Sequence, residues 1–216
     1  MSIVRNWGQW SHSDNPPHTN NSVLKLVTPP TDEPVTLTEA KRHLRVDFPD
    51  DDPTIQLLIS ACRGQLESWL RRSLLNQTWD LTLDWGPAWV ELPRPPLVSV
   101  TEVKVRGLDT TEVLADPASY YVNASANTIA LKPASVWPVH ITPMGWRVRF
   151  VAGYGDTPDD VPAAIRMELL AMVSQQYEDR SSIGVSEQAK ARLSSFRVIG
   201  AGIRMAKGVE PPELLA

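Results

Sequence analysis

The residue types that most often perform chemistry do not form a catalytic or metal-binding set in this chain. Four carboxylates lie within the seven residues Asp47-Phe48-Pro49-Asp50-Asp51-Asp52-Pro53, a density that suggests a calcium loop. The EF-hand spacing, its central glycine and its closing glutamate are missing, which argues against that site. A turn that ends in Asp52 as a helix N-cap, with Pro53 as the first helical residue, is the better interpretation.

Histidine and cysteine give no metal or nucleophile pattern either. His12, His18, His43 and His140 are scattered, and none has a nearby Cys or His at metal-ligand spacing. The single cysteine, Cys62, forms no intrachain disulfide and is predicted to be a small buried apolar residue. We find no nucleophile elbow, phosphate-binding glycine loop or dinucleotide fingerprint. We therefore expect no cofactor and no enzymatic activity.

Composition limits the classes of partner. The chain has 216 residues, 42% of them apolar, a formal charge of -4 and a pI near 5.6. A mildly acidic chain has no overall field that attracts nucleic acid. No stretch approaches the roughly 18 apolar residues of a membrane span, and residues 1–21 lack the apolar core of a signal peptide. We expect a cytoplasmic site of synthesis and no membrane partner.

Two helices far apart in sequence are the strongest predicted elements. One runs from about Pro53 to Ser73 and the other from about Pro162 to Arg180, each with apolar residues at helical spacing. Such stripes must be buried, and each helix is the natural partner of the other. A short helix to about Arg45 precedes them, begun by a capping box of Thr36 and Glu39. The basic cluster after Leu70 is interpreted as complementing the helix dipole rather than binding phosphate.

A block of period two separates these helices. Short strands are predicted around Trp79–Trp85, Val90–Leu92, Val98–Val105 with a bulge near Thr101, Val113, Tyr120–Val122, Asn127–Leu131 and Arg147–Val151. Strands of this length with intervening turns indicate an antiparallel sandwich or barrel. Trp79, Trp85, Trp89 and Trp137 are more typical of a core than of a carbohydrate-binding face, although that alternative stays open.

Both ends of the chain are predicted to be arms. Residues 1–34 are polar and aperiodic, yet contain Trp7 and Trp10, large aromatic residues that need a docking site. At the other end, residues 186–196 suggest a short helix, and Arg197–Met205 are apolar and basic. That last segment suits a strand that completes another protein's sheet, or a frayed tail.

The predicted fold class is α+β, a small helical bundle with an inserted antiparallel β-sandwich or barrel-like module and extended N- and C-terminal arms. The predicted division is an N-terminal arm (1–34), a first segment of the helical bundle (35–75), the inserted β module (76–157), a second segment of the helical bundle (158–181) and a C-terminal arm (182–216).

An ordered set of motifs resembles a known family. These motifs are Val35-Thr36-Leu37-Thr38-Glu39-Ala40-Lys41-Arg42-His43-Leu44-Arg45-Val46-Asp47, Asp51-Asp52, Leu75-Asn76-Gln77-Thr78-Trp79, Leu92-Pro93-Arg94-Pro95-Pro96-Leu97-Val98-Ser99-Val100, Val151-Ala152-Gly153-Tyr154-Gly155-Asp156, Val161-Pro162-Ala163-Ala164-Ile165-Arg166 and Gln176-Tyr177-Glu178-Asp179-Arg180. Their order and spacing over about residues 35–181 are similar to those of phage head–tail connector (adaptor) proteins, found in tailed phages, prophages and gene transfer agents.

The resemblance implies a non-enzymatic ring of about twelve copies in a virion neck, made in the bacterial cytoplasm and built into the particle. The ring would bind the portal protein above and a tail or stopper protein below, and DNA would pass through without sequence-specific binding. The C-terminal segment would reach the portal, and Trp7 and Trp10 would dock on a subunit or partner. The expected portal-binding residues are Phe196, Arg197, Val198, Ile199, Ile203, Arg204 and Met205. A neck stopper or tail-completion protein is the alternative, and an enzyme acting on DNA or cell wall is a more distant one.

Overall fold

The computed structural model describes residues 21–107, 109–138, 143–179, 184–199 and 203–206. Helices and antiparallel strands both occur there, which confirms the α+β class. The helices are α1 (Leu37–Leu44), α2 (Asp52–Leu70), α3 (Ala163–Glu178) and α4 (Glu187–Arg192). The strands are β1 (Ser22–Thr28), β2 (Gln77–Leu83), β3 (Trp89–Glu91), β4 (Leu97–Arg106), β5 (Glu112–Leu114), β6 (Tyr120–Asn123), β7 (Thr128–Leu131), β8 (Trp146–Ala152) and β9 (Met205–Ala206).

Helix α1 begins as its sequence predicts. The backbone N–H of Glu39 donates to Thr36 Oγ1 at 3.2 Å, and the backbone N–H of Thr36 donates to Glu39 Oε2 at 2.8 Å. This reciprocal pair satisfies two N–H groups that the first helical turn leaves without intrahelical partners. The predicted capping box is confirmed.

The start of α2 differs from the prediction. The helix begins at Asp52, its N-cap is Asp51, and neither carboxylate caps it through a side-chain bond. Both carboxylates are engaged elsewhere, since Lys41 binds Asp52 and the hydroxyl of Tyr177 donates to Asp51. Asp52 as N-cap was therefore wrong, because tertiary contacts with α1 and α3 take the carboxylates that local geometry would have used.

Helices α1 to α4 form the helical unit, which has its own apolar core. Helix α2 contributes Ile55, Ile59, Cys62, Leu66 and Leu70, all buried. Helix α3 packs against these residues, which confirms the predicted partnership of the two distant helices. The other buried apolar members are Val35, Ala40, Val46, Leu74, Leu75, Val161, Ile165, Leu169, Met172, Val173 and Leu193.

The nine strands in the described ranges form the β unit, in which they make two sheets. The first has the order β1-β2-β8-β4-β5 and the second the order β6-β7-β3-β9, and every pairing is antiparallel. The register of β4 against β8 shifts between Val100 and Glu102, where the bulge was predicted. The β6–β7 hairpin also lies where the sequence places it.

One buried cluster joins the two sheets. Leu81, Val148 and Phe150 come from the first sheet, and Val90 and Ile129 come from the second. Within the described ranges neither sheet closes on itself, so no barrel is seen, and the finer sandwich description stays an interpretation. None of the described helices is both long enough and apolar enough to cross a membrane.

Two described segments that the sequence assigned to the arms are strands. Ser22–Thr28, assigned from sequence to the N-terminal arm, form β1 at the edge of the first sheet. Met205–Ala206, assigned to the C-terminal arm, form β9 and pair with β3. The β-branched residues Val23, Val27 and Thr28 favour a strand at β1, and β2 and β3 each offered an edge with which β1 and β9 could pair.

A buried polar junction joins α2 to the β unit. The carboxylate of Glu67 accepts from the backbone N–H of Leu74 at 2.8 Å, from Gln77 Nε2 at 2.6 Å and from Arg63 Nη1 at 3.2 Å. Burial raises the pKa of Glu67, against these hydrogen bonds and the nearby arginine charges. Because the three donors come from α2, the connecting loop and β2, the carboxylate fixes how the chain turns from helix to sheet.

Candidate partner-binding surface

The C-terminal segment expected to bind a partner lies across the chain's own surface. It begins with α4, which ion pairs hold against α3. Arg192 Nε and Nη2 bind Glu168 Oε2 and Oε1 at 2.7 and 2.8 Å, and Leu193 is buried in the helical core. After the following turn, Arg72 Nε donates to the carbonyl of Phe196. The segment is therefore anchored to the helical unit before it reaches the first predicted contact residue.

The next residues cover the C-terminal end of α2. The last four carbonyls of a helix have no intrahelical donor and need another partner. The backbone N–H of Val198 donates to the Leu70 carbonyl at 3.0 Å, and Arg197 Nε donates to the Trp69 carbonyl at 3.2 Å. The Arg197 guanidinium also lies over the Trp69 ring, 5.2 Å from its centroid. The segment thus satisfies the end of α2 with two donors and a cation–π contact.

The last described residues of the segment form a strand in the second sheet. Met205 lies opposite Val90 in the antiparallel pair of β9 and β3, and the backbone N–H of Glu91 donates to the Arg204 carbonyl at 2.8 Å. The sequence suggested a strand that completes another protein's sheet or a frayed tail. In this structure the strand completes a sheet of its own chain.

A cavity of about 360 Å³ lies beside this segment. Arginine side chains and one carboxylate border it, while Ile199 stands 85% exposed at its side. The lining residues are Leu24, Ser68, Arg71, Glu91, Leu92, Pro93, Arg94, Pro95, Val198, Ile199, Ile203 and Arg204. Mixed apolar and arginine surfaces of this kind are enriched where proteins bind proteins.

Arg94 fixes one wall of that cavity. Its Nη1 donates to the Glu67 carbonyl oxygen of the main chain at 2.9 Å, and its guanidinium lies 5.3 Å from the centre of the Trp79 ring. Burial lowers the pKa of Arg94, and the Glu67 charge opposes that shift. The guanidinium stays cationic because an arginine pKa lies far above neutral. The wall therefore carries a positioned positive charge rather than a mobile one.

The predicted site residues separate into exposed and anchoring groups. Arg197, Ile199 and Arg204 are exposed, while Phe196, Val198, Ile203 and Met205 are half-buried against the chain. Trp7 and Trp10 lie outside the described residues. The arm that carries them joins the β unit at Asn21, whose backbone N–H and Nδ2 donate to Asp84 Oδ2 at 3.1 and 2.8 Å.

No catalytic geometry appears among the residues that the structure describes. In that part of the chain, no group of three or more His, Cys, Asp or Glu residues is arranged to hold a metal ion. Cys62 is fully buried, and burial raises the pKa of its thiol to about 11, which keeps it protonated at neutral pH. What this surface offers is binding area and positive charge.

The sequence did not indicate which residues the C-terminal segment packs against. The basic residues after Leu70 were assigned to the helix dipole, whereas Arg72 binds the Phe196 carbonyl and brings distant segments together. The sequence held one signal for this contact: the last carbonyls of α2 need hydrogen-bond donors from outside the helix. That need does not identify which segment of the chain supplies the donors.

Comparison with known proteins supports the resemblance drawn from the motifs. The model of the phage gp6-like head-tail connector protein family matches residues 34–130, which confirms the resemblance over that range. None of the curated proteins searched matches the chain.

Solved structures share the fold over most of the chain. A chain from the neck of an empty GTA particle, computed with C6 symmetry, aligns with a TM-score of 0.70 and 18% identity, covering 83% of this chain and 97% of that one. A chain from the virion of a native gene transfer agent particle aligns at 0.69 and 19%, covering 82% and 96%. A chain from a native GTA neck, computed with C12 symmetry, aligns at 0.69 and 18%, covering 83% and 97%.

Proposed function

We propose that this chain, which matches the head–tail connector family over residues 34–130, is a structural connector in the neck of a phage or phage-like particle. The observation that carries the proposal is the agreement between that match and a fold shared with gene transfer agent neck chains over 83% of this chain. The family match includes residues of both units, because it runs from the segment before α1 to β7.

The proposed assembly is a homo-oligomeric ring of about twelve copies, incorporated into the particle after synthesis in the bacterial cytoplasm. Its support is that neck structures with this fold were computed with C12 and C6 symmetry. Copies around such an axis present identical surfaces to the neighbours above and below. The proposed neighbours are a portal protein on one side and a tail or stopper protein on the other, with DNA passing through the ring. The role is structural rather than enzymatic.

The C-terminal segment is the proposed portal contact. Arg197, Ile199 and Arg204 are exposed there, next to the arginine-bordered cavity. The half-buried members, Phe196 and Val198 among them, position this surface through their bonds to Arg72 and the end of α2. Trp7 and Trp10 are proposed to dock on a neighbouring subunit or partner, since an indole gains most of its binding energy from burial.

Electron microscopy of the full chain mixed with its cognate portal protein tests the function. We expect a ring stacked on the portal, with the C-terminal segment against it. Binding to tail components and not to the portal would replace this proposal with the neck stopper or tail-completion alternative. Binding to neither would contradict a connector role.

A paired substitution tests the assigned contact surface. Ile199→Asp with Arg204→Glu should weaken portal binding about tenfold or more, the change expected for an interface residue worth about 1.4 kcal/mol. Leu57→Asp is the matched control, because Leu57 is 70% exposed on α2, outside the segment. Binding measured by surface plasmon resonance should fall for the first variant and hold for the second. Equal affinities would remove the C-terminal segment from the interface.

A further inference from the structure

Strand β1 leaves a long edge of the first sheet open. It pairs with β2 on one side, and no described strand pairs with its other side. Six of its seven residues are exposed, and Val23 is 51% exposed despite being apolar. Soluble proteins usually shorten, cover or charge such an edge, because its free N–H and C=O groups accept another strand. An open edge of this length indicates a place where another chain is added.

The opposite edge of the same sheet is also open and apolar. Strand β5 pairs with β4 and with no other described strand. All three residues of β5 are exposed, and Leu114 is 58% exposed. The pairing register places Val23 and Leu114 at the two ends of one cross-strand row. That row is Val23, Thr82, Arg147, Lys104 and Leu114.

The adjacent row on this face alternates in charge. It runs Lys25, Asp80, Arg149 and Glu102 across β1, β2, β8 and β4. Arg149 Nε binds Asp80 Oδ1 at 2.8 Å, and Arg149 Nη1 lies 3.7 Å from Glu102 Oε1. Among the described residues Lys25 has no ion-pair partner within 4.0 Å, so the row begins with an exposed cation at the β1 edge.

The β5 edge carries the opposite sign. Glu112 lies on the same face as Leu114 with a side chain that is 45% exposed, but its carboxylate binds Arg147 Nη2 at 2.7 Å and lies 3.8 Å from Lys104 Nζ, so the negative charge left at this edge is that of Asp116, which has no ion-pair partner within 4.0 Å among the described residues. Asp116 is exposed just beyond β5, where the backbone N–H of Ala115 continues the pairing by donating to the Val103 carbonyl. One edge of the sheet is therefore cationic and apolar and the other acidic and apolar, which is the complementarity needed for edge-to-edge contact.

We infer that the β1 edge of one copy pairs with the β5 edge of the next, so that the first sheet continues from copy to copy. Four successive antiparallel pairings make β1 and β5 run in the same direction, so the joined strands are parallel. Two different edges meet, which is a head-to-tail contact, and a contact of that type forms a ring when the rotation between copies closes and an open filament when it does not. The inference rests on the ring of the proposed function and identifies the surface that builds it.

Cysteine cross-linking of the full chain tests the contact. Val23→Cys and Leu114→Cys are made in separate preparations, one with a size tag, mixed at the highest soluble concentration and treated with a short bismaleimide. We expect a mixed dimer, no product from either variant alone, and a ladder of oligomers from the chain carrying both substitutions. The native Cys62 is fully buried, and the wild-type chain controls for its reaction.

A second edge provides the matched control. Tyr121 is 57% exposed on β6, the edge strand of the other sheet, so Tyr121→Cys mixed with Val23→Cys should give no dimer. Dimers from Val23→Cys alone would show a symmetrical β1–β1 contact and overturn the inference. Absence of the mixed dimer, with all variants melting like the wild type, would overturn it as well.

Reversal of the edge charge gives an independent readout. Lys25→Glu in the Val23→Cys chain should lower the yield of mixed dimer several-fold, because it places a carboxylate against the acidic β5 edge. Lys132→Glu, just after β7 of the second sheet and beside Tyr121, should leave the yield unchanged. An unchanged yield for Lys25→Glu would contradict the charge complementarity on which the pairing depends.

The outcomes separate this inference from the proposed function. A ring on the portal without cross-linking would mean that copies join through another surface, and only the inference would fail. Mixed dimers from a chain that binds neither portal nor tail proteins would leave the edge contact standing and remove the connector role.

Discussion

The helical unit and the β unit are interleaved along the chain. The helical core combines α1 and α2, which precede the strands β2 to β8, with α3 and α4, which follow them. The β unit consists mainly of the intervening strands, but its edge strands β1 and β9 come from before α1 and after α4. Each unit is therefore built from segments that the other unit separates in sequence. Neither unit is a contiguous stretch of chain that could fold by itself.

This interleaving has an energetic consequence. The polar junction at Glu67 joins α2 to β2, and the C-terminal segment joins α4 to β9 across the end of α2. Chain connections of this kind couple the stabilities of the two units, so we expect them to unfold together. Substitutions in one unit can test that coupling by their effect on the other.

The largest expected effect comes from the core of the β unit. Phe150→Ala removes a fully buried ring and should lower the free energy of unfolding by about 3–5 kcal/mol. Because the units are coupled, helical circular dichroism and tryptophan fluorescence should be lost in one transition at a lower midpoint. Val122→Ala, at an exposed strand position, should change stability by only about 0.5 kcal/mol. Helix that persists after the fluorescence change would show that the units are independent.

A smaller effect is expected from the charged row on the first sheet. Burial would raise the pKa of Asp80, but hydrogen bonds from Arg149 and the charges of Arg149 and Arg147 outweigh it and lower the pKa. Asp80→Asn should cost about 1.5–3 kcal/mol at pH 7, as for a buried charged hydrogen-bond acceptor. Asp159→Asn is the control, because that carboxylate pairs with Arg166 while 91% exposed.

The pH dependence of that cost follows from the direction of the shift. An aspartate whose folded pKa is lowered stabilises the protein above its unfolded pKa, here 3.8, and loses that contribution as the pH falls through the folded value. The difference between wild type and Asp80→Asn, measured by urea unfolding, should therefore be constant near neutrality and shrink below pH 3.8. A difference that stays constant through the acid range would assign the effect to packing.

The smallest effect is expected in the helical unit at its first helix. Thr36→Ala removes the capping hydroxyl of α1 and should cost about 1 kcal/mol. Thr38→Ala, at an exposed position within α1, is the matched control and should be neutral or slightly stabilising. Chemical denaturation of both variants checks this. Equal stabilities would mean that tertiary contacts alone hold the start of α1.

Local patterns predicted many of the elements because their causes lie within a few residues. The apolar stripe of α2, the capping box at Thr36 and the β6–β7 hairpin depend on spacing that the sequence displays. The bulge near Thr101 followed from a change of side-chain phase within one strand. Asp52 was wrongly predicted as the N-cap of α2, because the helix begins at Asp52 itself and Lys41, 11 positions earlier, binds its carboxylate.

The candidate surface was predicted only partially. The sequence marked Arg197–Met205 as an apolar, basic segment suited to completing another protein's sheet or to a frayed tail, and its last residue, Met205, lies in β9, which pairs within this chain. The pairing of β9 with β3 was not predictable, since the residue pattern of a strand does not specify which sheet edge it joins. The donors to the α2 carbonyls were not predictable either, because they come from a segment far away in sequence. The portal-binding role of these residues, and the docking of Trp7 and Trp10, stay predictions.

By itself the sequence determined the α+β class, the two long helices and the absence of a recognisable catalytic motif, because periodicity and residue spacing are local properties. Only the tertiary structure decided that β1 and β9 belong to the sheets, that Val198 and Arg197 cover the end of α2, and that Val23 and Leu114 end one row. The physical reason is that hydrogen bonds between distant segments depend on which unpaired groups come within reach after both cores have formed.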